Sequence, residues 1–231
     1  MILMRKGKTY DPELQANFLK EFEATESLSE VSRQRCVSMT TSIELRSDRV
    51  IVHLLGTGEE QQVLDYYVRN KEHLAPTDPP HPPGFHTLDF WAERVARSKV
   101  DINQDSAYRF VIKLPNDTSR IVGTVNLTQI SRGPFQACYL GYGIDRDCEG
   151  KGIMTESLNL VIDYAFSKLN LHRIMANHLV ANTRSATLLK RLGFQQEGIA
   201  KAYLFISGEW RDHVLNSLTN AKWENTLEKK T

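Results

Sequence analysis

The chain has 231 residues, 41% of them hydrophobic and 25% charged, with a formal net charge of +1. This length and apolar content allow a buried core in one main domain, and the near-neutral balance argues against a general nucleic-acid or membrane binder. Cys36, Cys138 and Cys148 form no CxxC pair and no segment approaches the roughly 18 apolar residues of a membrane span, so no disulfide framework, metal site or anchor is indicated. A cytoplasmic protein is expected.

Residues 1–38 are polar and charged apart from a short stripe of Leu14, Phe18, Leu19 and Phe22, and read as a non-essential extension. Met39 opens the segment where a compact domain, residues 39–231, is expected to begin. Residues 43–55 read as a first strand, with Val50, Val52 and Leu54 on one face, and Gly56 to Gly58 closes it. Glu59 and Glu60 then provide an acidic helix start, followed by an apolar stripe of Val63, Tyr66, Tyr67 and Leu74.

The run TDPPHPPG at residues 77–84 is excluded from helix or central strand by four prolines, which fix φ and remove donors. It reads as a connector, with substrate selection as the alternative, and His81 and His86 as solvated side chains. A helix over residues 85–98 and an antiparallel hairpin of residues 108–114 and 121–130 follow.

Residues 139–144 form the central strand, in which Gly141 and Gly143 allow a ligand or another chain close to the backbone. The helix over residues 153–169 carries Leu158, Val161, Ile162, Ala165 and Leu169 on one face. A strand at residues 172–180 leads to a second helix, with Asn182 as N-cap and Gly193 as C′ residue, and residues 196–207 and 211–218 close the domain as two strands.

Gly150, Lys151 and Gly152 stand at the start of the residue 153–169 helix, where free amides and the helix dipole favour an anion. A GxG turn also caps many helices without binding anything, and Asn182 and Ser185 are equally ordinary in a first turn.

Taken together, ACYLGYGI, EGKGIM, HRIMAN, the NxRS…LLxRLGF helix and GEWRDHVL resemble the GNAT N-acetyltransferase superfamily, in its RimJ type that acetylates ribosomal-protein alanine. The resemblance runs from Thr40 to about Trp223. It implies a mixed α/β fold with a mostly antiparallel sheet whose strands four and five splay apart, acetyl-CoA entering the V. Tyr142, Gly143 and Ile144 would supply the strand edge for the pantetheine arm. Asp147, Glu149, Gly150, Lys151, Gly152, Ile153 and Met154 would form the phosphate turn. Asp147 stands where the family usually has Gln or Arg; with Glu149 it adds negative charge, for Arg146 and Lys151 to offset.

The resemblance also implies that Asn182 binds the pantetheine arm and Ser185 contacts the thiolate, because Leu189 occupies the place of the usual helix tyrosine. Asn177 replaces the usual glutamate base, which leaves Tyr203, His178 and Glu197 as candidates, Tyr203 being the one carried into the catalytic set. Trp210, Arg211, Asp212 and His213 read mainly as structural, with Asp212 paired to Arg211 or closing the acceptor site. The implied reaction is direct transfer, through a tetrahedral intermediate, from acetyl-CoA to a protein N-terminal α-amine. A small-subunit ribosomal protein beginning with alanine would be the acceptor. An α-amine titrates near ~8, so a weak base suffices. Small-amine acetylation (polyamine or antibiotic) and a non-catalytic, acetyl-CoA-binding ribosome-docking module are the alternatives.

Overall fold

The computed structural model describes residues 43–224; the expected extension at residues 1–38 lies outside the described residues. The strands are β1 (Glu44–Arg46), β2 (Ile51–Leu54), β3 (Tyr108–Lys113), β4 (Gly123–Ser131), β5 (Ala137–Ile144), β6 (Arg173–Leu179), β7 (Gln195–Ile206) and β8 (Glu209–Thr219). The helices are α1 (Glu60–Arg69), α2 (Lys71–Leu74), α3 (Leu88–Asn103), α4 (Ile153–Ser167) and α5 (Thr183–Arg191). They form one eight-stranded sheet in the order β1-β2-β3-β4-β5-β6-β8-β7.

The expected first strand is two. Ser47 ends β1 by donating its amide to the Val50 carbonyl (3.0 Å) and accepting the Val50 amide on Oγ (3.3 Å), so the chain reverses and β1 pairs β2 antiparallel. Val50, Val52 and Leu54 are all buried, as their periodicity predicts, but the local Ser-Asp-Arg turn interrupts the run before them. The helix expected over residues 85–98 runs instead from Leu88 to Asn103, capped by Thr87, whose hydroxyl accepts the Phe90 amide.

Alternation along β3 sends Phe110 and Ile112 into one core and Val111 into the other. The first core lies under α4 and α5, through Leu158, Val161, Ala165 and Leu189; the second lies under α1 and α3, through Val63, Tyr66, Trp91 and Val95. Complete burial of a side chain such as Leu158 or Ile174 stabilises the fold by about 1.5–3 kcal/mol.

All neighbouring strands are antiparallel except β5 and β6, the one parallel pair. That pairing covers only Ala137, Cys138 and Tyr139 opposite Arg173, Ile174 and Met175. Beyond Tyr139 each strand follows its other neighbour, β5 staying on β4 to Ile144 and β6 staying on β8 to Leu179. The expected splay is therefore between these two strands, numbered one higher because the first strand is divided. Among the described residues no helix is long and apolar enough to cross a membrane.

Candidate active site

The fork between β5 and β6 holds a cleft of about 960 Å³. Because β5 loses its partner after Tyr139, the edge of residues 140–144 that faces β6 is left without a strand to bond. The cleft continues along this edge to Gly150, Gly152, Ile153 and Met154, and reaches Asn182 and Ser185 at the start of α5.

Gly150 and Gly152 both adopt left-handed backbone, at φ 70° and φ 78°, which a residue with a Cβ resists by roughly 1–2 kcal/mol. Gly152 is the N-cap of α4 and has no side chain with which to cap it, so the first amides of the helix are open to an anion in the cleft. The turn is braced from the β1–β2 hairpin, a support no motif announced. Arg49 Nη1 donates to the Lys151 carbonyl (3.1 Å), and the same guanidinium pairs with Glu156 of α4, which also accepts the Ser47 hydroxyl.

A second brace lies behind it. Asp145 is 1% exposed and receives Arg69 Nε (2.8 Å), Arg120 Nη2 (2.8 Å) and Asn70 Nδ2 (3.3 Å), and its other oxygen accepts the Asp147 amide (3.0 Å). Burial opposes ionisation of this carboxyl, but the guanidinium bonds outweigh it and hold the pKa down at about 2. Asp147 itself turns outward, 73% exposed and 3.3 Å from Arg120. Neither its side chain nor that of Lys151 is among the groups lining the cleft. Glu149 does line it, with one oxygen 3.2 Å from His73 Nε2 and the other paired with Arg184.

Asn182 performs its N-cap role, accepting the Ser185 amide on Oδ1 (3.0 Å). Ser185 then reaches across the open fork, its Oγ 2.6 Å from the Tyr142 hydroxyl of β5. Burial pushes the Tyr142 phenol up to about 12, so the pair stays protonated near neutrality and has hydrogens to give. Leu189, one turn further, is core at 1% exposure.

On the side of α1 to α3 the cleft is lined by Pro76, Thr77, Asp78 and Pro79, by Gly141 and Tyr139, and by Asn177 and Tyr203. Gly143 is explained by packing, since a Cβ there would stand 3.0 Å from the Tyr66 hydroxyl, whereas a Cβ on Gly141 would meet nothing within 4 Å. Asn177 Nδ2 donates to the Tyr203 hydroxyl (3.0 Å), and burial raises the Tyr203 pKa. His178 also lines the cleft, with Nδ1 2.9 Å from the Leu179 carbonyl.

Glu197 stands apart from the cleft lining, bonded to Arg173 and to Ser217 Oγ (2.9 Å). Asp212 pairs not with Arg211 but with Lys201 Nζ (2.7 Å), and accepts the Ala202 amide (2.9 Å). His81 is not simply solvated: it stacks on Phe85 with centroids 3.7 Å apart and meets Tyr67 edge-on. Among the described residues no cluster of His, Cys, Asp and Glu could hold a metal ion.

A helix start without a side-chain cap just after two left-handed glycines, an unpaired strand edge and a half-buried hydroxyl pair fit the pyrophosphate, the amide-bearing arm and the thioester end of acetyl-CoA. The family model described as Acetyltransferase (GNAT) domain matches residues 59–195. The [ribosomal protein uS5]-alanine N-acetyltransferase of Escherichia coli is 40% identical over 186 residues, covering 80% of this chain and 95% of the relative. Among solved structures, the ribosomal-protein-S5-alanine acetyltransferase of Vibrio fischeri matches with TM-score 0.76 and 37% identity, over 79% of this chain and 99% of that one. Mycobacterium smegmatis RimJ in complex with CoA-disulfide matches with TM-score 0.70 and 26% identity, over 77% and 86%. The chain belongs to the GNAT family of acetyltransferases, N-acetyltransferases that draw on acetyl-CoA.

Proposed function

We propose that the chain acetylates a protein N-terminal α-amine, with the N-terminal alanine of a small-subunit ribosomal protein as acceptor. The observation that carries this reading is the 40% identity, across nearly the whole length of the relative, to an enzyme named for the alanine of ribosomal protein uS5. The geometry supports it: the fork is lined both by Tyr142 and Met154 from the α4 side and by Tyr139 and Asn177 from the other, so donor and acceptor can approach from opposite faces of the sheet.

Acetyl-CoA supplies an activated acyl group. The amides around Gly150, Gly152, Ile153 and Met154 hold its pyrophosphate, and Tyr142, Gly143 and Ile144 offer backbone to its arm. Asn182 keeps α5 capped through Oδ1 and has its amide nitrogen left to bond the arm. Ser185, backed by the Tyr142 hydroxyl, places a proton at the sulfur. Tyr203 and Asn177 shape the acceptor end. Asp147 and Lys151 contribute backbone to the turn and outward-facing charge.

The test is transfer from acetyl-CoA to short peptides beginning with Ala, Ser, Met or Gly, beside spermidine and free lysine, read by mass spectrometry. Acetylated peptide α-amines with alanine preferred are the expected result. Turnover of spermidine alone would move the assignment to a small-amine enzyme, and cofactor binding without any turnover to a docking module.

A further inference from the structure

Two carboxylates line the cleft, Asp78 and Glu149, and they are differently engaged. Both oxygens of Glu149 are taken, by His73 and Arg184, at the glycine turn. Asp78 comes from the proline-rich loop on the opposite side. Its nearest basic side chain is His81, with Nε2 3.4 Å from Oδ2, and its own amide is bonded back to the Leu74 carbonyl (3.0 Å).

Three features make Asp78 more than a loop residue. It is followed by Pro79 and Pro80, so its backbone is confined to extended conformations and its carboxylate is pre-placed. Its partner His81 belongs to an aromatic cluster: Tyr67 stacks on Trp91 (5.0 Å) and meets Phe85 edge-on, and His81 stacks on Phe85, while the Asp78 side chain keeps 30% of its surface exposed. The tip of the β7–β8 hairpin touches the same loop, Ser207 Oγ donating to the Ala75 carbonyl (3.4 Å), so the loop and the hairpin together bound the acceptor end of the cleft. The groups that face Asp78 are Tyr66 and Tyr67 from α1, His73 from α2 and His81 from its own loop. Burial raises its pKa, which the two histidines partly oppose, and a carboxylate so placed is a better proton acceptor than an exposed one.

We propose that Asp78 receives the acceptor's α-ammonium in the cleft and takes its first proton, an assignment that rests on the N-terminal-amine reading above. The nitrogen lone pair so freed forms the N–C bond of a tetrahedral adduct at the thioester carbon, and collapse of that adduct breaks the C–S bond and leaves the product amide. The second amine proton goes to the sulfur, and the proton on Asp78 leaves to solvent. The arrangement also selects between amines: an α-amine near ~8 yields its proton to a carboxylate far more readily than a lysine ε-amine near ~10.4. Asn177 on the sheet lines the same cleft but is no base, and Asp78 supplies a carboxylate from a loop.

The test compares the native chain with Asp78→Asn and Asp78→Glu, using a short alanine-initiated peptide and the same peptide lacking its α-amino group. Binding of both peptides to the CoA-loaded protein is measured by calorimetry, together with steady-state acetyl transfer. The native chain is expected to bind the amino peptide about tenfold more tightly than the des-amino one, a preference that collapses to about unity in Asp78→Asn. The kcat/KM of Asp78→Asn falls about 100-fold, acetyl-CoA affinity stays unchanged, and Asp78→Glu recovers part of the loss. If Asp78→Asn keeps both the amine preference and kcat/KM, the assignment is wrong. If the native chain transfers nothing to any peptide α-amine, the N-terminal-amine reading itself fails and takes this one with it.

Discussion

The two halves of the cleft are built by different means. The half proposed to hold the cofactor is nearly one piece of chain, from Tyr142 through the glycine turn to Met154, joined by Asn182 and Ser185, and much of its chemistry is backbone: an unpaired strand edge and helix amides without a side-chain cap. The half proposed for the acceptor gathers Asp78, Tyr139, Asn177 and Tyr203 from four separate segments, and its chemistry is in side chains. Backbone groups are carried by every residue, so a site made of them needs only a short stretch with the right φ values. A side-chain site must collect the few residues that own the required group, wherever the sheet brings them together.

Substitutions separate the two halves. The largest effect is expected behind the cofactor half, where Asp145→Asn leaves Arg69 and Arg120 facing each other without their shared carboxylate. Unfolding in urea should show a loss of about 3 kcal/mol. Because this carboxyl's folded pKa is held at about 2, its contribution is complete above the unfolded value near ~3.9 and disappears as pH falls through that window toward 2. A native chain whose stability over that range matches the variant's would remove the brace from the account.

Next is the point where the halves meet. Ser185→Ala is expected to lower kcat about thirtyfold, close to 2 kcal/mol, with acetyl-CoA affinity retained, and Tyr142→Phe should act in the same direction. Equal kcat in the alanine variant would take Ser185 out of proton delivery. Gly152→Ala is a purely cofactor-side change: the left-handed φ of 78° and an Arg49 Nη2 3.4 Å from the new Cβ predict about tenfold weaker acetyl-CoA binding by calorimetry, with the acceptor KM unmoved. The smallest effect is zero. Both halves lie within residues 43–224, so a chain beginning at Met39 should bind acetyl-CoA and melt as the full chain does. Loss of either would place residues 1–38 within the working domain.

What the residues alone determined is local. Gly150, Gly152 and Gly193 sit where left-handed backbone is needed, Asn182 caps α5, the prolines keep residues 75–87 out of helix and strand, and the alternation of β3 and the 3.6-residue stripe of α4 name their buried faces. Each of these follows from steric limits and hydrogen bonds that act within a few positions of the chain. The short-range turn at Ser47 was available in the same way, as a Ser-Asp-Arg interruption, but was hidden by the strong apolar alternation after it.

Which side chains meet across the fold was decided only by tertiary structure. Tyr142 and Ser185 are 43 positions apart and Arg69 and Asp145 76 apart; Arg49 reaches Lys151, and Asp78, Asn177 and Tyr203 line one cleft. No local rule links such positions. Sheet order and the early end of the β5–β6 ladder set their separations; the guanidiniums so assembled keep Asp145 charged against its burial, and burial keeps the proton on Tyr142.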